Sequence, residues 1–349
     1  MEVINVRISK IRTEEAVGRI LSHDMTKIIP GKFKGAAFRK GHCLVPEDIP
    51  ELLKMGKDSI YVLELEPDEV HEDEAGTRLG RAAAGAGVTC SEPLESRVNL
   101  FASRPGLLKI NIAALEEIND LPSVVLSTLP NNTPVAAGDM LAGTKVIPLT
   151  VKNDVVQAVE QIAGRLGKVI SVIEYRALDV GIVVTGNEVF QKRIKDRFGP
   201  VLRDKVSYFG SRVLDLQYAP DDPGRIAELI GGMIAAGAQL VLVSGGMSVD
   251  PDDVTPQGIS LSGATIEKYG APVLPGAMFL LAYRGEVPII GVPACGMYFH
   301  TTILDLVLPR LLAGERITRR DIVSMGHGGL CRTCPECRFP KCGFGMAGS

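Results

Sequence analysis

The chain has no uninterrupted apolar run near the roughly 18 residues a membrane span needs. Its first twenty residues, "MEVINVRISKIRTEEAVGRI", are broken by charge, so no signal peptide is expected and a cytoplasmic location is. No Lys/Arg run stands out and the formal net charge is −3, which argues against nucleic acid as the main partner. His23, His42, His71, His300 and His327 show no pairing with a nucleophile, which leaves Ser/His or Cys/His catalysis without support. Internal repeats and low-complexity tracts are absent as well. What remains is an ordinary globular composition, 46% hydrophobic and 23% charged. At 349 residues there is room for two or three domains with real cores.

The pattern along the chain suggests five stretches. Residues 1–66 read as a mixed unit: a short strand at "EEAVGRIL", a glycine-punctuated loop, a helix near "PEDIPELLKMG" and a strand at "SIYVLEL". Residues 67–97 open on the acidic run "EPDEVHEDEAG", expected to be a solvated linker face, followed by a helix at "TRLGRAAAGAG". Residues 98–176 form a small β-rich module, a barrel being one form it could take. Strands are expected at "GLLKINI", "SVVLSTL" and "MLAGTKVIPL", with a turn at "PNNTPVAAGD" and a helix at "NDVVQAVEQIAGRLG". Residues 177–316 alternate strand ("LDVGIVVTG", "VLDLQYA", "AQLVLVSGG") with helix ("FGPVLRDKVSYFG", "DDPGRIAELIGGMIAAG"), the signature of βαβ units and a parallel sheet. Residues 317–349 are a cysteine-rich tail.

Two of these strands end in glycine, and ligands of open α/β sheets lie outside the carboxyl ends of the strands. At the first end Gly186 lets a ligand approach, while Thr185 and Glu188 supply a hydroxyl and a carboxylate. A strand-end turn accounts for the same residues. The second end carries Asp221 and Asp222; the latter, before Pro223, suits a helix cap and leaves Asp221 spare. The third is "SGGMSVDPDDVTP". Ser244, Gly245 and Gly246 offer backbone N–H groups to an anion, and Asp250, Asp252 and Asp253 follow. Carboxylates beside a phosphate repel it unless a cation intervenes, and Mg²⁺ held by one or two carboxylates plus phosphate oxygens is the usual solution. Asp253 also suits a cap for the helix that follows. Cys295 reads as a small buried hydrophobe sooner than a ligand contact, and His300 as a packing or solvent-facing residue.

Cys331, Cys334, Cys337 and Cys342 crowd the tail in CxxCxxCxxxxC spacing. In a reducing compartment that density points to a metal site. Four thiolates suit tetrahedral Zn²⁺ or an iron–sulfur cluster, and the spacing is nearer to that of ferredoxins.

The segments "VVTGNE", "YAPDDPGRI", "LVLVSGGMSVDPDDVTP" and "APVLPGAMFLLAYRGEVPIIGVPA", in that order, resemble the molybdopterin-binding domain of two enzyme groups. These are the molybdopterin molybdotransferases (the MoeA and gephyrin type) and the molybdopterin adenylyltransferases (the MogA type). "EEAVGRILSHDM" resembles the start of the former. The resemblance implies a three-layer α/β domain with a mostly parallel sheet, and pterin phosphate binding by Ser244, Gly245, Gly246 and Ser248, beside Thr185 and Gly186. It further implies Mg²⁺ or molybdate chemistry around Glu188, Asp221 and Asp253, and a homodimer. Molybdopterin, or its adenylylated form with molybdate, would be the ligand or substrate.

The chain departs from the molybdotransferases where they carry Gly-Asp-Tyr-Asp, having Asp250-Pro251-Asp252-Asp253 instead. It has Pro293-Ala294-Cys295-Gly296 in place of their Pro-Gly-Asn-Pro, and their C-terminal β-domain is not found after Gly314. Two functions therefore stand side by side: a molybdotransferase-like enzyme of molybdenum cofactor assembly, and a non-catalytic cofactor carrier or sensor.

Overall fold

In the computed structural model, residues 8–29, 33–248 and 250–346 are described, the side chains of residues 28, 29, 33 and 34 excepted. Contacts divide them into two compact units. The first takes in residues 8–104, 109–129 and 137–172; the second takes in residues 105–108, 130–136 and 173–346.

The second unit is built on a six-stranded sheet. Its strands are β1 (Asp179–Thr185), β2 (Arg212–Ala219), β3 (Leu240–Ser244), β4 (Thr265–Tyr269), β5 (Leu280–Arg284) and β6 (Val287–Val292), in the order β2-β1-β3-β6-β5-β4. β2, β1, β3 and β6 run parallel, and β5 and β4 complete the sheet antiparallel. The helices are α1 (Asn187–Phe190), α2 (Phe198–Tyr208), α3 (Pro223–Ala235), α4 (Thr255–Leu261), α5 (Ile303–Leu312) and α6 (Arg319–Ser324).

The near-continuous apolar runs of β1 and β3 exist because both faces of these strands are covered. Val180, Ile182 and Val184 with Leu240 and Leu242 pack against α2, α5 and α6. Val183, Val241 and Val243 pack against α3 and α4 on the opposite face. Three layers result, and burying each such side chain contributes roughly 1.5–3 kcal/mol. Gly181 lies on the α3 side, where a Cβ would come 2.6 Å from Met233 Sδ. Asp222 caps α3 as expected, its Oδ1 accepting from Arg225 N–H at 2.6 Å with Pro223 in the first turn.

The first unit contains shorter elements. Ile8–Arg12, Ser59–Leu63 and Ile20–Leu21 form one antiparallel sheet, and Asp48–Lys54 is a helix. Of the expected strand "EEAVGRIL", Glu14 and Glu15 lie in a 3-10 turn, Thr13–Glu15, and only Ile20–Leu21 is extended. Much of the expected loop is a hairpin of Met25–Ile29 and Phe33–Phe38; residues 30–32 lie outside the described residues. The β-rich module is an open four-stranded sheet, Val124–Thr128, Met140–Val146, Val98–Ala102 and Val88–Cys90 in spatial order. It also holds a helix the pattern does not announce, Ile112–Asn119, started where Asn111 Oδ1 accepts from Ala114 N–H at 3.2 Å.

The acidic run differs most from expectation. Glu69–His71 is a strand paired with Thr150–Lys152, and Glu72–Ala83 is a helix. Glu72, Asp73 and Glu74 occupy that helix's first turn, where negative charge meets unpaired backbone N–H groups favourably. Glu72 is only 3% exposed and lies 3.8 Å from Lys40 Nζ.

Candidate functional site

β1 runs through α2 to β2 on one side, and β2 returns through α3 to β3 on the other side of β1. The carboxyl ends of β1 and β3 therefore border the point where strand order reverses, the general location of ligands in such sheets. Thr185 sits beside Ala219, and Ser244 sits between Val184 and Val292. All three expected strand ends thus meet at one sheet edge.

Ser244 is fully buried and its hydroxyl has no partner among the described residues. Beyond it the chain turns with Gly245 at φ 92° and Gly246 at φ 54°, values that favour glycine. The N–H groups of Gly245, Gly246, Met247 and Ser248 have no acceptor among the described residues. Successive free N–H groups in a turn form an anion-binding concavity. Met247 is buried, with Gly291 making room for its side chain, and Ser248 is exposed.

The two glycines also have a packing duty. A Cβ at Gly245 would fall inside the radius of the Thr185 carbonyl oxygen, and one at Gly246 would lie 2.8 Å from Thr255 Oγ1. Thr185 and Thr255 share a buried hydroxyl hydrogen bond of 3.1 Å, and Thr255 N–H donates to Gly246 O at 3.1 Å. Tyr269 OH donates to Met247 O at 3.0 Å and fixes the loop from β4. Burial, and then the charge of Asp253, push the Tyr269 phenol up, so it stays a donor.

Asp221 and Asp253 are already engaged in hydrogen bonds to backbone N–H groups. Asp221 is not spare: its Oδ2 accepts from Asn187 N–H at 2.9 Å, at the start of α1. Glu188 folds back, so that a Cβ at Gly186 would lie 3.1 Å from its Oε1. Asp253 does not cap α4, whose N-cap is Val254; its Oδ2 accepts from Asp250 N–H at 3.0 Å and closes the 250–253 turn. Cys295 is half-buried in the short turn after β6, and burial pushes its thiol up, which fits a packing role. His300 is exposed. Cys331 is half-buried, and Cys334, Cys337 and Cys342 are exposed. Among the described residues no three His, Cys, Asp or Glu side chains are gathered so as to hold a metal ion. The four-sulfur centre expected from the spacing is therefore not assembled here, nor is a cage of Glu188, Asp221 and Asp253.

Asn187, Thr255 and Tyr269 escaped the sequence reading. Thr255 lies inside the quoted loop motif, but Tyr269, in "EKYGAP", carries no local signal and joins the loop only through the fold.

Residues 181–313 match the model of a family described as a probable molybdopterin binding domain, and residues 10–64 match a domain of unknown function, DUF8806. The first of these matches lies wholly within the second unit. A CinA-like protein of Mycobacterium leprae is 37% identical over 75 residues, 22% of this chain. The chain spans about a fifth, 18%, of that relative's length. The molybdopterin biosynthesis enzyme MoaB from Thermus thermophilus has 20% identity and a TM-score of 0.33, covering 40% of this chain and 98% of its own. The molybdopterin biosynthesis MoeA protein from Pyrococcus horikoshii has 15% identity and a TM-score of 0.34, covering 88% and 75%. The family match covers the region expected to bind molybdopterin, and the relative from Mycobacterium leprae is described as CinA-like and not as a molybdotransferase. No helix among the described residues is long and apolar enough to cross a membrane.

Proposed function

We propose that the second unit binds a molybdopterin-type ligand by its phosphate at the carboxyl ends of β1 and β3, in the service of molybdenum cofactor assembly. The observation that carries this reading is the run of N–H groups from Gly245 to Ser248, without an acceptor among the described residues, beside the buried hydroxyl of Ser244, also unpartnered among them. Thr185 and Gly186 form the facing wall. A Mg²⁺ ion would be held by Asp253, with Glu188 or Asp221, and by the ligand's own phosphate oxygens. It would supply neutralising charge between carboxylate and phosphate. Because Asp221 and Asp253 each accept a backbone N–H, the protein presents at most their remaining lone pairs to such an ion.

That same engagement favours a second reading, a carrier or sensor that binds the pterin without chemistry. An enzyme would process adenylylated molybdopterin with molybdate, whereas a carrier would bind the pterin and leave it unchanged. Turnover of these two compounds by purified protein separates them. The binding site itself is tested with Ser248→Glu, which sets a carboxylate beside the N–H groups at an exposed position. Molybdopterin affinity measured by calorimetry is expected to fall about tenfold or more, for like-charge repulsion of about 1.4 kcal/mol. Undiminished affinity in a folded variant places the phosphate elsewhere.

A further inference from the structure

Residues 328–345 form a loop tied shut at its base. Gly345 N–H donates to Gly328 O at 2.9 Å. On the entering side Leu330 bridges to Leu274: Leu274 N–H donates to Gly329 O, and Cys331 N–H to Leu274 O, both at 2.8 Å. On the leaving side Phe344, 4% exposed, is sunk in the core with α5, its ring 6.4 Å from that of Phe339.

Between these anchors there is no helix or strand, and the one backbone hydrogen bond with both partners inside, among the described residues, is Lys341 N–H to Arg338 O at 2.7 Å. Loops this long without structure of their own are uncommon in compact domains unless they serve a function. This one holds all four clustered cysteines, and besides Phe344 only Cys331 and Phe339 within it pack against the core.

The first pair already has the local form of a thiolate turn. Thr333 takes the left-handed conformation, φ 48°, and its N–H points at Cys331 Sγ, 3.4 Å away. An N–H aimed at sulfur from within a CxxC turn stabilises a metal-bound thiolate. Cys334, Cys337 and Cys342 are exposed on the same closed loop, with Cys337 Sγ 3.2 Å from Thr301 Oγ1. With the base fixed, only the loop interior must move to bring the sulfurs together.

We propose that Cys331, Cys334, Cys337 and Cys342 bind a single tetrathiolate centre, either Zn²⁺ or an iron–sulfur cluster, that orders this loop. Each thiol yields its proton to solvent as its sulfur bonds the metal. The site shares no residue with the proposed pterin site, so either can fail without the other.

The test is to purify the full chain without oxygen and measure zinc, iron, acid-labile sulfide and visible absorption. One zinc per chain in a colourless protein, or iron with matching sulfide in a brown one, supports the centre and says which it is. Cys334→Ser and Cys337→Ser replace exposed residues outside the core, so both variants are expected to keep native circular dichroism while metal occupancy drops about tenfold or more. Four cysteines that react freely with a thiol reagent in metal-free native protein overturn the proposal. So do disulfides among them, or metal content unchanged in the variants.

Discussion

The two units use conspicuous residues in opposite ways. In the second, the candidate site is made of backbone: free N–H groups and glycines at the ends of buried strands, with carboxylates held at the rim. In the first, the conspicuous groups are titratable side chains taken into the interior, His71 and Glu72 among them. A strand buried on both faces has to be apolar throughout, so its end is marked sharply in sequence. A charge run that enters a helix's first turn looks the same in sequence as one left in water. The difference teaches that a site's legibility depends on how the surrounding elements are buried, not on how striking its residues are.

The largest contrast should come from glycine. Gly245→Val meets the Thr185 carbonyl as well as the left-handed backbone, and is expected to cost on the order of 3 kcal/mol or more. Gly138, in the first unit, has φ 86° but open space around it, so Gly138→Ala should cost only about 1 kcal/mol. Denaturant melts of the two variants give the comparison, and equal losses would break it. By the same geometry a side chain at Gly245 disturbs the fold as well as any ligand bound there.

Next is an acid effect in the second unit. Burial alone would raise the Asp321 carboxyl, but the Thr318 hydroxyl and Arg310 outweigh it and hold Asp321 at about 2, below its ordinary 3.8. A depressed carboxyl adds stability above its unfolded value, and that stability is lost as pH falls from 3.8 towards 2. Asp321→Asn should lose about 1 kcal/mol at neutral pH with the capping box of α6, and should melt with less dependence on pH in that acid window.

Glu72 in the first unit has the opposite sign. Burial pushes it up despite Lys40, so the folded state holds its proton more tightly than the unfolded chain does. Stability then falls as pH rises through the ordinary glutamate value of 4.5 and above. Glu72→Gln should flatten that fall and raise Tm at neutral pH by a small amount; a lower Tm would mean that the ion pair with Lys40 outweighs burial.

The smallest effect on stability is expected from Ser244→Ala. It removes an unpartnered buried hydroxyl, so the ligand-free protein should stay within about 1 kcal/mol of wild type or gain slightly. A loss well beyond that would show the hydroxyl to be satisfied within the protein.

The βαβ order, the cap at Asp222 and the glycine-ended strands were legible because each rests on local chemistry: proline at a helix start, branched apolar runs, and turns that need positive φ. The helix at Ile112–Asn119 and the burial of the acidic run were not. Short amphipathic segments carry little period, and a charge's burial depends on partners far along the chain, such as Lys40 for Glu72. At the candidate site the sequence by itself determined that two strand ends would carry glycine and a hydroxyl, and that carboxylates would follow all three. Only the tertiary structure decided what each group does there. It brought Tyr269 onto the 247–248 carbonyls, gave Asp221 to Asn187 and Asp253 to Asp250, and left the N–H groups from Gly245 to Ser248 without an acceptor among the described residues. Residue type sets which hydrogen bonds are available, but which are made is fixed by distances between segments that only packing brings together.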